Sequence, residues 1–242
     1  MDSVGFTVRY SNDLVKIGTP RIENGVVLTG VDSKGKIEGL LRTSETTNNE
    51  EFLSIDFYRK IDRGTSLVFK NNFSESEEYI NSSFLDNRLG IWVLLKLAET
   101  LENGALAFSC WEEHGGGSVS YLSRFLYNKY SIRQALIADI TWITEGIKFG
   151  EGVVISMRDR NIPRRLFIDK IISLASKSSV KFQLEVEDSG SSDGQYLEAS
   201  DMPIDWCFIG AAEENAHGYN EKVHKADVYS MLNLYKILFN EL

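Results

Sequence analysis

Ala105-Leu106-Ala107-Phe108-Ser109-Cys110-Trp111-Glu112-Glu113-His114-Gly115-Gly116-Gly117 joins an apolar run to two adjacent glutamates and a triple glycine. The run has the length and continuity of a strand buried on both faces, and the glycines require a turn behind it. The same pattern recurs at Ala135-Leu136-Ile137-Ala138, which leads into Asp139. Working outward, helical and strand-like segments alternate: helix 88–102, strand 105–110, helix 119–128, strand 134–139, strand 153–156, helix 163–177, strands 181–186 and 206–209, and helix 226–242. Such alternation predicts an α/β fold, a mixed sheet flanked by helices.

Upstream the texture differs. Short strand-like runs at 5–10, 26–28, 37–41 and 66–69 are separated by Asn24-Gly25, Ser33-Lys34-Gly35 and Arg63-Gly64, which reads as a small all-β module. The stretch 43–51, rich in Thr, Asn and Glu, reads as a loop within it. The chain therefore divides into a β-barrel-like domain over 3–72 and an α/β domain made of 1–2 and 73–242. It shows no internal repeat and no low-complexity tract.

Four carboxylates and one imidazole sit where apolar runs meet turns: Asp86, Glu112, Glu113, Asp139 and, far downstream, His217 in Asn215-Ala216-His217. Taken singly each has an ordinary reading, Asp86 as a helix N-cap, Asp139 as a turn residue, His217 as a solvated loop histidine. Together they form a ligand set for a pair of divalent metals. A glycosidase pair needs its carboxyls about 5 to 10 Å apart across a sugar, whereas neighbouring strand residues point to opposite faces. One glutamate of the pair would bind a metal while the other holds a water.

Asp-Asn-Arg opening a helix, Glu-Glu after an apolar strand, Asp ending the next strand and Asn-Ala-His-x-x-x-Glu before the last helix resemble the co-catalytic zinc aminopeptidases. Within that group the chain resembles the glutamyl and deblocking aminopeptidases, some of them also labelled endoglucanase M. The likeness runs the whole length, with Gly190-Ser191-Ser192-Asp193-Gly194 where the family has a Gly-Thr-Asp-Ala turn. The resemblance implies that Asp86 bridges two metals, that Glu113, Asp139 and His217 are further ligands, and that Glu112 is the general base. It also implies an acidic pocket for a substrate α-amine, with Asp193 contributing, and a small inserted β domain that helps to assemble multi-subunit particles. Glu221 matches a family glutamate that orients the His217 loop. His114 and His224 are set aside, the first as a structural or surface residue, the second as a polar helix residue.

The chain departs from the family at its first residues. The family's first metal ligand is the histidine of a His-x-Asp motif preceded by a further N-terminal segment, and here Met1 falls on the x, with Asp2 as the aspartate that orients the ligand. The expectation is a start placed at an internal methionine, with the upstream part of the catalytic domain missing from this sequence.

Composition narrows the remaining classes. The chain has 242 residues, 43% of them hydrophobic and 25% charged, enough for a sizeable core and little disorder. A net charge of −9 repels a phosphate backbone, and the one basic cluster, 158–165, reads as a solvated loop, so no nucleic-acid partner is expected. Cys110 and Cys207 lie in apolar runs and read as buried thiols, which fits a cytoplasmic protein. No apolar run approaches the ~20 residues that span a bilayer, so no membrane partner is expected. Mixed oxygen and nitrogen ligands without thiolate suit two zinc, cobalt or manganese ions. The expected function is a metal-dependent aminopeptidase acting on peptides as a homo-oligomer. The alternatives are a non-catalytic descendant serving binding or assembly, and a cellulase, which the adjacent glutamates argue against.

Overall fold

The computed structural model describes residues 3–45 and 51–242; Met1, Asp2 and 46–50 lie outside the described residues, as do the side chains at 45 and 51. The expected loop at 43–51 falls partly in that gap, and its described part is strand. Six strands, β1 (Gly5–Val8), β2 (Leu14–Ile17), β3 (Val27–Asp32), β4 (Gly35–Glu45), β5 (Glu51–Asp56) and β6 (Ser66–Phe69), form an antiparallel sheet in the order β2-β1-β6-β3-β4-β5. An antiparallel bridge between Asp13 and Ser54, with Ile55 N donating to Asn12 O at 3.0 Å, brings the two ends of that order together. Alternate residues of each strand point inward, and Phe6, Leu28, Ile37, Leu41, Leu67 and Phe69 make a closed apolar core.

The second sheet contains β7 (Ser74–Glu75), β8 (Tyr79–Ser82), β9 (Gln134–Trp142), β10 (Val153–Arg158), β11 (Phe182–Val186), β12 (Asp205–Glu214) and β13 (Glu221–His224). Its order is β11-β10-β12-β13-β8-β7, with β9 lying parallel to β12 along the other edge of that strand. The helices are α1 (Leu85–Ala98), α2 (Val119–Tyr130), α3 (Arg165–Lys177), α4 (Gly194–Glu198) and α5 (Lys225–Glu241). α1, α3 and α5 cover one face, where Val93, Ile155, Ile171, Ile209, Met231 and Leu234 are fully enclosed. Beneath α2 and α4 on the other face lie Val119, Ile137, Leu197, Trp206 and Phe208. Each such aliphatic side chain contributes about 1.5–3 kcal/mol by leaving water, so the sandwich of helix, sheet and helix is what holds the strand ends in place.

Three expectations are overturned. Residues 105–110 form no strand. An apolar run gives a segment the propensity to pair, but a strand exists only where a partner supplies its hydrogen bonds, and none lies alongside among the described residues. Cys110, at the end of that run, is accordingly exposed, while Cys207 in β12 is buried. β12 also runs on past 209 as far as Glu214, and β13, which the sequence pattern did not announce, returns from the His217 loop as its antiparallel neighbour.

Candidate metal centre

Asp86 is not an N-cap. The chain turns into α1 through Phe84 in the left-handed region (φ 64°, ψ 37°), and Asp86 itself has ψ 112°, outside the helical range. The carboxylate of Glu221, at the start of β13, accepts from the Leu85 N–H at 2.5 Å and the Asp86 N–H at 3.3 Å, fixing this bend from below. Asn87 clamps it from the side: its Nδ2 donates to Ala138 O of β9 at 2.7 Å, and its Oδ1 accepts from Gly90 N at 2.8 Å. Glycine is required at 90, because a Cβ there would meet Ala138 O at 2.1 Å. That close approach of helix to strand sets Asp86 beside the middle of β9, near Asp139.

Glu112 and Glu113 belong to one 3-10 turn (Glu112–His114), entered through Trp111 at φ 65° and left through Gly115 and Gly116 at φ 103° and 67°. Gly116 N donates to Trp111 O at 2.6 Å, closing the turn, and a Cβ at Gly116 would strike the Tyr196 ring. His217 has φ 65°, and its carbonyl accepts from Arg21 N at 3.0 Å, which ties the loop to the first sheet's side of the molecule.

These bends bring three distant segments together. His217 Nε2 lies 3.2 Å from Asp86 Oδ2 and 3.2 Å from Glu113 Oε2, and one donor atom from each residue falls within 4.8 Å of the others. On the other side of the ring, Nδ1 lies 2.8 Å from Thr19 Oγ1 and 3.3 Å from Thr19 O. A ring whose Nδ1–H is taken by Thr19 presents the Nε2 lone pair to the carboxylates, which is the tautomer a metal ligand needs. Burial works against a charged imidazole, yet the hydrogen bonds to Asp86 and Glu113 raise His217 to about 11. A proton on Nε2 and a divalent cation therefore compete for the same place.

Burial, then the charges of Glu113, Asp193 and Asp86, push Glu112 up to about 8. Asp139 is buried with Oδ1 accepting from Ile140 N at 2.8 Å, and burial followed by the Asp86 and Glu112 charges holds its carboxyl well above the usual range. Asp193 accepts from Ser109 Oγ at 2.5 Å through Oδ2, while its buried Oδ1 has no partner, and burial raises this carboxyl too. Asp2 lies outside the described residues. His114, set aside from the sequence, turns away from the cluster and places Nε2 3.3 Å from Ser3 O. His224 caps α5, its Nδ1 accepting from Ala226 N at 3.2 Å.

One residue escaped the sequence reading. Glu213 is 1% exposed, and neither carboxyl oxygen has a hydrogen-bond partner. Register with Val223 of β13 puts it on the same sheet face as Glu221, and burial followed by the charges of Glu221, Asp86, Asp139 and Glu113 drives its carboxyl far up. It lay in a polar run that reads as loop, and only the continuation of β12 turns it inward. Carboxyl groups crowded this closely in a poorly solvated corner are costly unless protons or cations neutralise them. The oxygen and nitrogen donors of Asp86, Glu113 and His217 fit a divalent cation.

Carboxylates of the cluster line a cavity of about 1310 Å³ that is also lined by β9 and Leu242. Asp86, Glu112, Glu113, Asp139 and Asp193 line the site end, and Leu136, Leu94, Leu126 and Phe239 the rest.

Comparison with known proteins agrees with this fold. No curated protein matches the sequence. Among solved structures, an aminopeptidase from the archaeon Desulfurococcus kamchatkensis superposes with a TM-score of 0.86 at 20% identity, covering 100% of this chain and 78% of that one. The Pyrococcus horikoshii TET1 peptidase, described as assembling into a tetrahedron or a large octahedral shell, gives 0.80 at 23% identity, covering 100% and 82%. An endoglucanase from Thermotoga maritima gives 0.71 at 17% identity, covering 98% and 77%. Residues 44–234 match the profile of the M42 glutamyl aminopeptidases, a stretch that includes every residue of the cluster, and the chain belongs to that family.

Proposed function

We propose that this protein is a metal-dependent aminopeptidase that releases N-terminal residues from peptides. The observation that carries the reading is the meeting of Asp86, Glu113 and His217 within 4.8 Å, with Glu112 beside them poised at about 8. Asp86 and the imidazole of His217 would hold one divalent cation together with Glu113, and Asp86 with Asp139 would hold a second. When bound, such cations polarise a scissile carbonyl and acidify water. Glu112, a carboxylate free of coordination, takes the water's proton and delivers it to the leaving amine. Glu221 keeps the Asp86 backbone in place, and Thr19 keeps the His217 tautomer. The unpartnered Oδ1 of Asp193 is the acceptor for the substrate's free α-amine.

The wider reading follows from the same kinship. Zinc, cobalt and manganese all suit these ligands. The β module over 3–72 serves assembly of a homo-oligomer, and the remainder is the catalytic domain. No described helix is long and apolar enough to cross a membrane, and we place the protein in the cytoplasm, acting on neither nucleic acid nor cellulose. A non-catalytic descendant is the second reading. It is favoured by one fact: among the described residues Asp139 does not join the donor group that Asp86, Glu113 and His217 form.

Elemental analysis after zinc or cobalt loading, with aminoacyl-anilide hydrolysis on the same sample, separates the two. Two metals per chain with turnover supports the enzyme. One metal or none, without turnover, supports the binding or assembly module.

A further inference from the structure

β11 ends the second sheet on the far side of β10 and β12 from β9. Val153 N donates to Lys181 O at 3.2 Å and Glu187 N donates to Arg158 O at 3.1 Å, so the odd-numbered residues of this strand turn their backbone groups to β10. Strand alternation turns the N–H and C=O groups of Phe182, Leu184 and Val186 the other way, where no strand among the described residues pairs with them. The side chains of the same three residues share the α3 face of the sheet with Val153 and Ile155. Phe182 packs on the core there, whereas Leu184 is 44% exposed and Val186 64%, and Leu166 of α3 is 72% exposed. An open edge by itself is no docking site, and proteins blunt most of them with a lysine or proline along the strand. β11 instead keeps its exposed charges at its two ends and of opposite sign, in Lys181-Phe182-Gln183-Leu184-Glu185-Val186-Glu187. Glu185, the acid between those ends, is buried and accepts from the Thr141 hydroxyl.

We propose that β11 pairs with β11 of a second copy of this chain, antiparallel about Leu184, so that two sheets become one. The strand is complementary to itself about that axis. Phe182 faces Val186 of the second copy, Leu184 faces Leu184, Gln183 faces Glu185, and Lys181 faces Glu187. The outward backbone groups of Phe182, Leu184 and Val186 then meet their own counterparts and close about six N–H···O bonds. Register is fixed by charge as well. Moving the axis one residue forward sets Glu185 against its own copy, and moving it one residue back leaves Glu187 opposite Ser179. Lys181 Nζ lies 2.8 Å from Glu151 Oε2 and 2.9 Å from Gly150 O, and an ammonium has three donors, which leaves one for Glu187 of the second copy. The apolar side chains of the two strands adjoin on the α3 face, which brings the exposed Leu184 and Val186 of both copies out of water. This surface lies outside the β module, and the inference needs neither metal nor turnover.

The test combines cross-linking with sedimentation equilibrium on the full chain. With the exposed Cys110 removed by Cys110→Ser, Leu184→Cys should be joined to its own copy by a short bis-maleimide, while Tyr121→Cys on α2 stays unlinked. Lys181→Glu and Glu187→Lys, each alone, oppose like charges twice across the axis and should raise the dissociation constant about tenfold. Mixed together, the two variants should associate as the parent does, because each substituted position then faces a charge of opposite sign. Circular dichroism reads the fold of each variant, and linking at 184 decides alone if a charge variant fails to fold. No link at 184, or equal linking at 184 and 121, overturns the proposal. So does a mixture of the two charge variants that associates no better than either one. Larger species without a link at 184 place assembly on another surface, such as the β module, and overturn it as well.

Discussion

The Asp86–Glu113–His217 corner and the run 103–110 line the same cavity, yet among the described residues the first is pinned at each bend and the second is held only near its end. At the corner, Glu221 holds the Asp86 backbone, Asn87 ties α1 to β9, Thr19 takes the imidazole, and the Gly116 N–H closes the glutamate turn. Along the run, the hydrogen bonds are those of Ser109 Oγ to Asp193 and of Cys110 N to Ser118 Oγ. Left-handed residues such as Phe84, Trp111 and His217 cost of order 1–3 kcal/mol each and persist only where surrounding contacts over-determine them. The contrast separates a ligand site assembled in advance from a run that, among the described residues, few contacts fix.

The harshest test of the assembled corner is Glu112→Gln. If Glu112 moves the proton while Glu113 does the binding, kcat falls by about 10²–10⁴-fold and metal content is unchanged. Loss of metal together with rate would merge the two roles and break the distinction. Thr19→Val removes the hydroxyl next to Nδ1 and should weaken metal binding by about 10–100-fold, measured by competition with a chelator, with the fold intact by circular dichroism. Gly90→Ala probes the helix clamp. Its Cβ has no room against Ala138 O, so α1 must shift, at a cost of about 1–3 kcal/mol in denaturant unfolding; the same change at Gly35, where a Cβ meets nothing within 4 Å but φ is +113°, tests backbone strain alone.

The smallest effect is pH dependence. His217 is raised to about 11 by its carboxylate partners, so at neutral pH a cation must displace a proton from Nε2. Metal affinity should therefore rise with pH, by up to about tenfold per unit for one displaced proton, and level off above the raised value. Titration calorimetry in buffers of different ionisation enthalpy reads the released proton directly. An affinity flat between pH 6 and about 8 would show that the imidazole is already neutral, and the Asp86 and Glu113 contacts would then be ordinary neutral hydrogen bonds.

Much of this was legible because the informative residues stand at changes of pattern. Asp86, Glu112, Glu113 and Asp139 each follow an apolar segment, although 105–110 forms no strand and β9 runs on past Asp139 to Trp142. Glu221 was legible for its spacing from His217. Glu213 was not, since Glu213-Glu214 reads as solvated loop until β13 pairs with β12 and makes it strand. The run 105–110 misled for the converse reason, its apolar character being real and its pairing partner absent among the described residues.

By itself the sequence determined the alternation of helix and strand, the all-β texture of the first seventy or so residues, and the order of the acidic and imidazole groups along the chain. Those are properties of local pattern, set by side-chain periodicity and turn chemistry. Only the tertiary structure decided that Asp86, Glu113 and His217 meet and that Glu213 is hidden behind them. Each of these depends on which groups find partners in the folded chain, and a partner brought in by the fold leaves no mark on the local pattern.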